Sequence, residues 1–132
     1  SGVGTDLAAG AWRPLRVSEV GELSQAFLCH GGLIHFQNEG LWPALGEIVA
    51  IAGRTRGFGD WWGHTLVADG RCDAMIDPRV AYHDVAAIEV LVREAGGVFA
   101  TAGDRAYGPS YLGPALSCNR RLAEELGRRL GL

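Results

Sequence analysis

Two carboxylates, Asp77 and Asp84, stand seven positions apart in this 132-residue chain and open the question of its chemistry. Asp84 falls in the first turn of the best helical pattern, residues 82–94, where Val85, Ile88, Val92 and Ala95 share one face. A carboxylate there is favoured by the helix dipole, by about 0.3–1 kcal/mol. It therefore reads either as a helix cap or as a ligand for Mg²⁺, a hard cation that takes carboxylate oxygens. Asp77 ends an apolar run and precedes Pro78. That pattern marks a turn residue, or a polar contact for a substrate hydroxyl or amine. Asp60, after Gly59, has the same ambiguity between N-cap and ligand. His83, next to Asp84, is a candidate for facing a ligand pocket. Asp69 and Asp73 flank Gly70 and read as solvated turn residues.

Other chemistry is weakly signalled. The four His show no HxxxH or HxH spacing, and His30 and His35 beside Cys29 are too sparse for a zinc site. His64 reads as a partly buried, hydrogen-bonded helix residue, and Trp61 and Trp62 as packing. The three Cys form no CxxC pair and read as buried free thiols in a reducing cytosol. No nucleophile elbow, phosphate-binding loop or HExxH motif occurs.

The elements that must position these residues alternate. Strands are expected at residues 15–17, 26–29, 55–58, 72–76, 98–101 and 115–118. A short turn after Ser18 is expected to run to residue 23, and residues 1–10 are small and polar with no clear period. Helices are expected at 41–52 with Pro43 in the first turn and Gly53 as C-cap, at 60–68 with Asp60 as N-cap, at 82–94, and at 120–130 capped by Asn119. Residues 30–40 and 103–113 read as loops, and Asp77-Pro78 as a strand break. This alternation predicts an α/β domain, a layered sheet flanked by helices, over residues 1–132.

Composition narrows the class. With 48% hydrophobic and 20% charged residues the chain is neither disordered nor fibrous. A net charge of -3 argues against a general nucleic-acid surface. No apolar run reaches the roughly 20 residues of a membrane span, and no leader pattern is visible, so a cytoplasmic protein is expected.

Together these residues resemble the C-terminal half of the inositol monophosphatase family, and within it the histidinol-phosphatase-like bacterial branch. The resemblance rests on Tyr82-His83-Asp84-Val85-Ala86-Ala87 followed by Arg93-Glu94-Ala95-Gly96-Gly97. It is supported by Arg56-Gly57-Phe58-Gly59-Asp60, by the run from Leu66 to Asp77, by Arg13-Pro14-Leu15-Arg16-Val17-Ser18 and by Ala115-Leu116-Ser117-Cys118-Asn119. It implies Mg²⁺-dependent hydrolysis of a small alcohol phosphate such as inositol or histidinol phosphate. It implies Asp84 as a catalytic Mg²⁺ ligand, Asp77 as a contact to the leaving alcohol, and Gly59 and Asp60 bordering the pocket. It also implies a homodimer. Two departures stand out. The residue before the metal Asp is usually Trp in the family and is His83 here, which changes the pocket. The family's first metal site, a Glu-Glu pair and an Asp-Pro-Ile-Asp-Gly-Thr motif, has no counterpart here, since Asp77-Pro78-Arg79-Val80 lacks the second Asp. One carboxylate holds Mg²⁺ loosely, so weak or absent activity is expected without a partner chain or an N-terminal half. A non-catalytic half-domain that assembles with a partner, another sugar or nucleotide phosphatase of the same superfamily, and a plain α/β binding module are the alternatives. A bare apolar surface is expected where another half would sit.

Overall fold

The computed structural model describes residues 3–6 and 11–132, with side chains from residue 12 onward. A short hairpin comes first: β1 (Val3–Asp6) pairs antiparallel with β2 (Ala11–Pro14). The remaining strands are β3 (Phe27–His30), β4 (Arg54–Gly57), β5 (Ala74–Ala81), β6 (Val98–Thr101) and β7 (Leu112–Cys118). They form one five-stranded sheet in the order β4-β3-β5-β7-β6, with β3, β4 and β5 mutually parallel and β7 antiparallel to both of its neighbours.

Helices cover both faces, as the alternating pattern requires. On one face α1 (Leu33–Asn38), α2 (Trp42–Ile51) and α5 (Arg120–Leu130) bury Phe36, Leu45, Ile48, Leu122 and Leu126 against Leu28, Ile76 and Leu116 of the sheet. On the other, α3 (Asp60–Ala68) and α4 (Tyr82–Glu94) bury Val67, Ile88 and Val92 against Cys29 and Met75. Gly63 is required there, because a Cβ would stand 2.4 Å from the Met75 sulfur and 3.0 Å from the Phe58 carbonyl. All three Cys are free and buried.

Beyond the hairpin, which the sequence pattern does not signal, four elements differ from expectation. Residues 15–17 form no strand: Pro14 lacks a ladder donor, and the Val17 N–H bonds the Ala95 carbonyl at 3.0 Å. The turn before β3 is a single 3₁₀ turn, Leu23–Gln25, not begun by Ser18. The segment 30–40 contains α1, which the pattern hides because Leu33 and Ile34 face solvent and only Phe36 is buried. Asp77-Pro78 does not end β5. The strand bulges there, with Asp77 opposite Ala115 and Val80 opposite Gly113, so that the donorless Pro78 and Pro114 both fall where the ladder is interrupted. Smaller differences fall at caps. Ala52, not Gly53, closes α2; Gly53 is small because a Cβ would meet the Ser24 carbonyl at 2.7 Å.

Two polar residues anchor the core. Asp73 is 6% exposed, not a solvated turn residue. Its carboxylate accepts from Ser18 Oγ at 2.5 Å and from the Phe27 N–H at 2.7 Å. Asp69 is likewise occupied, ion-paired with Arg13 and Arg71. His64 is fully buried and shares a 2.7 Å hydrogen bond with Ser117 through Nδ1. Burial pushes its pKa down to about 4 from an ordinary 6.5. The folded state thus holds the neutral ring while the unfolded chain takes a proton near pH 6.5. This contribution is present above about pH 6.5 and is lost as pH falls toward 4, amounting to about 3 kcal/mol over that window. Replacing His64 by Gln should flatten the pH dependence of the urea midpoint between pH 6.5 and 4 relative to wild type. Parallel curves would contradict the assignment.

Candidate active site

Parallel strands bring their C-terminal ends to one edge of the sheet, the edge where open α/β sheets place ligands. β3 ends there at His30, β4 at Gly57, and the bulge of β5 carries Asp77. Helices α3 and α4 begin at the same edge, so their N-terminal N–H groups face it with the positive ends of their dipoles.

Each expected residue lies at this edge. Asp77 is 6% exposed, and its Oδ1 accepts from the Arg79 N–H at 3.3 Å, a local turn across the bulge. Burial pushes its carboxyl up to about 6, above the usual carboxylate range; the Arg79 N–H opposes this, and the negative charges of Asp60 and Asp84 add to it while His35 draws it back. Asp60, Asp77, Asp84 and His35 thus share one electrostatic field. The sequence pattern places His35 in a loop; it lies instead on α1, which carries it to the edge.

Asp84 is in the first turn of α4, with its side chain 55% exposed. Its Oδ2 accepts from the Ala81 N–H at 3.4 Å, and Oδ1 lies 3.4 Å from Nε2 of the largely exposed His83. The cap contact is long, which leaves the carboxylate available. Asp60 is not the N-cap of α3. Gly59 holds that place, and Asp60 is the first helical residue, in the left-handed region at φ 57. Such a backbone is strained for a non-glycine residue and recurs at functional sites. Trp61 and Trp62 are about half exposed and meet edge to face at 5.5 Å, so they rim this edge and are not core packing.

Gly31 follows β3 and lies against Asp77: a Cβ there would stand 2.7 Å from Asp77 Oδ1 and 3.0 Å from Pro78 Cδ. Its Gly-Gly signal suggests only a turn; the close approach depends on a residue far along the chain.

The donor set suits a hard cation in kind, with carboxylate oxygens and a negative field, but not in number. Among the described residues, no group of three or more His, Cys, Asp or Glu side chains is spaced to hold a metal ion. Nor is any helix among them long and apolar enough to cross a membrane.

The chain is 36% identical over 112 residues to the histidinol-phosphatase of Streptomyces coelicolor, covering 85% of this chain and 41% of that protein. It is 36% identical over 116 residues to the histidinol-phosphatase of Mycobacterium tuberculosis, covering 88% and 44%. The chain therefore spans less than half the length of the curated relatives it matches. Its fold is similar to that of Mycobacterium tuberculosis SuhB, with a TM-score of 0.77 and 25% identity over 98% of this chain and 49% of that one. The family model described as the inositol monophosphatase family matches residues 8–130, nearly the whole chain, and the chain belongs to that family.

Proposed function

We propose that this chain forms the C-terminal part, as one domain, of a Mg²⁺-dependent phosphatase acting on a small alcohol phosphate. One observation carries the reading: Asp84, half exposed at the start of α4, shares a sheet edge and a charge field with the buried Asp77 and with Asp60. Asp84 offers the metal-ligating oxygens. Mg²⁺, when bound, neutralises phosphoryl charge and lowers the pKa of a coordinated water. Asp77 accepts a hydrogen bond from the hydroxyl or ammonium of the leaving alcohol. Gly59 and Asp60 border the substrate pocket at the N-terminus of α3, whose backbone N–H groups suit an anion. His83 stands at the rim and shapes the alcohol pocket.

The names of the curated relatives favour histidinol phosphate over inositol phosphate. A carboxylate pair, Asp77 with Asp60, suits an ammonium group. The remaining metal ligands come from an N-terminal segment or partner chain bearing a Glu-Glu pair and an Asp-Pro-Ile-Asp-Gly-Thr motif. Exposed Leu33, Ile34, Trp42, Val49 and Ile51 on α1 and α2 offer apolar surface for such a partner or for a second copy. The same exposure favours, as a second reading, a non-catalytic half-domain whose role is assembly. A cytoplasmic homodimer belongs to the first reading.

Phosphate release tests it. The chain alone, with Mg²⁺, should release phosphate from histidinol and inositol phosphates at background. A chimera that adds a segment bearing both missing motifs should release it, preferring histidinol phosphate, and chelation should abolish the activity. A folded chimera inactive with Mg²⁺ on both esters and on a panel of sugar and nucleotide monophosphates would favour the assembly reading.

A further inference from the structure

The bulge that carries Asp77 is held from outside the site. Glu39 closes α1, and its side chain is only 8% exposed although it carries a charge. It is occupied at both oxygens. Oε1 accepts from Arg79 Nη1 at 3.1 Å, and Oε2 from Arg105 Nη2 at 2.8 Å. Arg79 is the residue whose backbone N–H bonds Asp77 Oδ1. Arg105, in the segment between β6 and β7, also donates through Nη1 to the Leu112 carbonyl at 3.0 Å, opposite the end of β5. The start of α1 meets the same bulge, since the Gly31 N–H bonds the Ile76 carbonyl at 3.0 Å and Gly31 lies against Asp77. Both ends of one short helix therefore grip the two flanks of Asp77.

We infer that Glu39 is a positioning residue for Asp77, acting through Arg79 and braced by Arg105; the consequence for catalysis rests on the reading of Asp77 as the alcohol contact. The reasoning is geometric. Interrupted ladder bonding at Pro78 and Pro114 leaves the bulge without the backbone restraint that a regular strand supplies. A nearly buried carboxylate with two guanidinium partners replaces that restraint by charge-assisted hydrogen bonds, which are shorter and stronger than neutral ones. Without Glu39, Arg79 is free to turn to solvent, and its N–H loses its alignment on Asp77.

The test is made on the isotopically labelled chain by nuclear magnetic resonance and needs no substrate. In Glu39→Gln, which removes the charge and one of the two acceptor oxygens, the Arg79 amide proton should move partway to its unstructured position, while the amides of β6 stay where they are. A folded Glu39→Gln chain with an unmoved Arg79 amide overturns the inference. If Glu39→Gln does not fold, Arg79→Met keeps the backbone donor and removes the guanidinium, and an unmoved amide at position 79 overturns it equally. In the active chimera, Glu39→Gln should raise KM for the alcohol phosphate about tenfold with kcat within about twofold, the mark of lost ground-state binding. A displaced amide with unchanged KM keeps the brace and removes Asp77 from the substrate, which is a failure of the functional reading alone.

Discussion

Asp73→Ala is expected to lower stability by about 3–4 kcal/mol, and the melting temperature by roughly 10–15 °C. Asp73 joins the strand ends at the sheet edge opposite the site. Its carboxylate holds Ser18 and the Phe27 N–H. Its own N–H bonds the Phe27 carbonyl at 2.8 Å, and its carbonyl accepts from the Asn119 N–H at 3.2 Å. Each hydrogen bond to an ionised group contributes about 1.5–3 kcal/mol, and the truncation also strands the Phe27 N–H at the head of β3. Asp73→Asn keeps an acceptor for one of the two donors and should cost about half as much. Asn119 is coupled to the same point, because its Nδ2 donates to Ser18 Oγ and to the Val20 carbonyl at 2.9 Å each while its Oδ1 caps α5. The double variant Asp73→Ala, Asn119→Ala should therefore lose less than the sum of the single losses. Urea unfolding of the four proteins checks this. An Asp73→Ala loss below about 1 kcal/mol would show that the network is not a principal tie of the sheet.

Asp84→Asn is expected to leave the fold intact and to remove metal affinity. The substitution preserves size and keeps a side-chain oxygen to accept from the Ala81 N–H, so the fold loses only the dipole contribution of the charge, about 0.3–1 kcal/mol. What disappears is the charge. Divalent hard cations depend on anionic oxygens, and loss of the ligating carboxylate should weaken binding at least tenfold, which is about 1.4 kcal/mol or more. In the chimera, phosphate release should fall by at least about a hundredfold, since metal and electrostatic stabilisation carry most of such chemistry.

What was legible in the sequence follows from how local the cause is. Helix α4 begins and ends where the spacing of Val85, Ile88 and Val92 places it, and Gly96 at φ 87 stops it. Asn119 caps α5 as expected, because capping acts within three residues. Asp84 was legible for the same reason, as a carboxylate at a periodic helix start. Asp73 was not, since its partner Phe27 is 46 positions away. Glu39 was not, with Arg105 66 positions away. The strand through Pro78 was hidden because its continuity depends on β7, and α1 because most of its apolar residues face solvent. The unusual backbone of Asp60 has no local signal, and Gly59 took the cap assigned to it.

The most direct measurement titrates Mn²⁺, a paramagnetic substitute for Mg²⁺, into the isotopically labelled chain and its Asp84→Asn variant. Line broadening should centre on the amides around Asp84, reach those of Asp60 and Asp77, appear only at high Mn²⁺ concentration because the ligand set is short, and vanish in the variant. Broadening centred elsewhere, or equal in the two proteins, would contradict Asp84 as the metal ligand of this sheet edge.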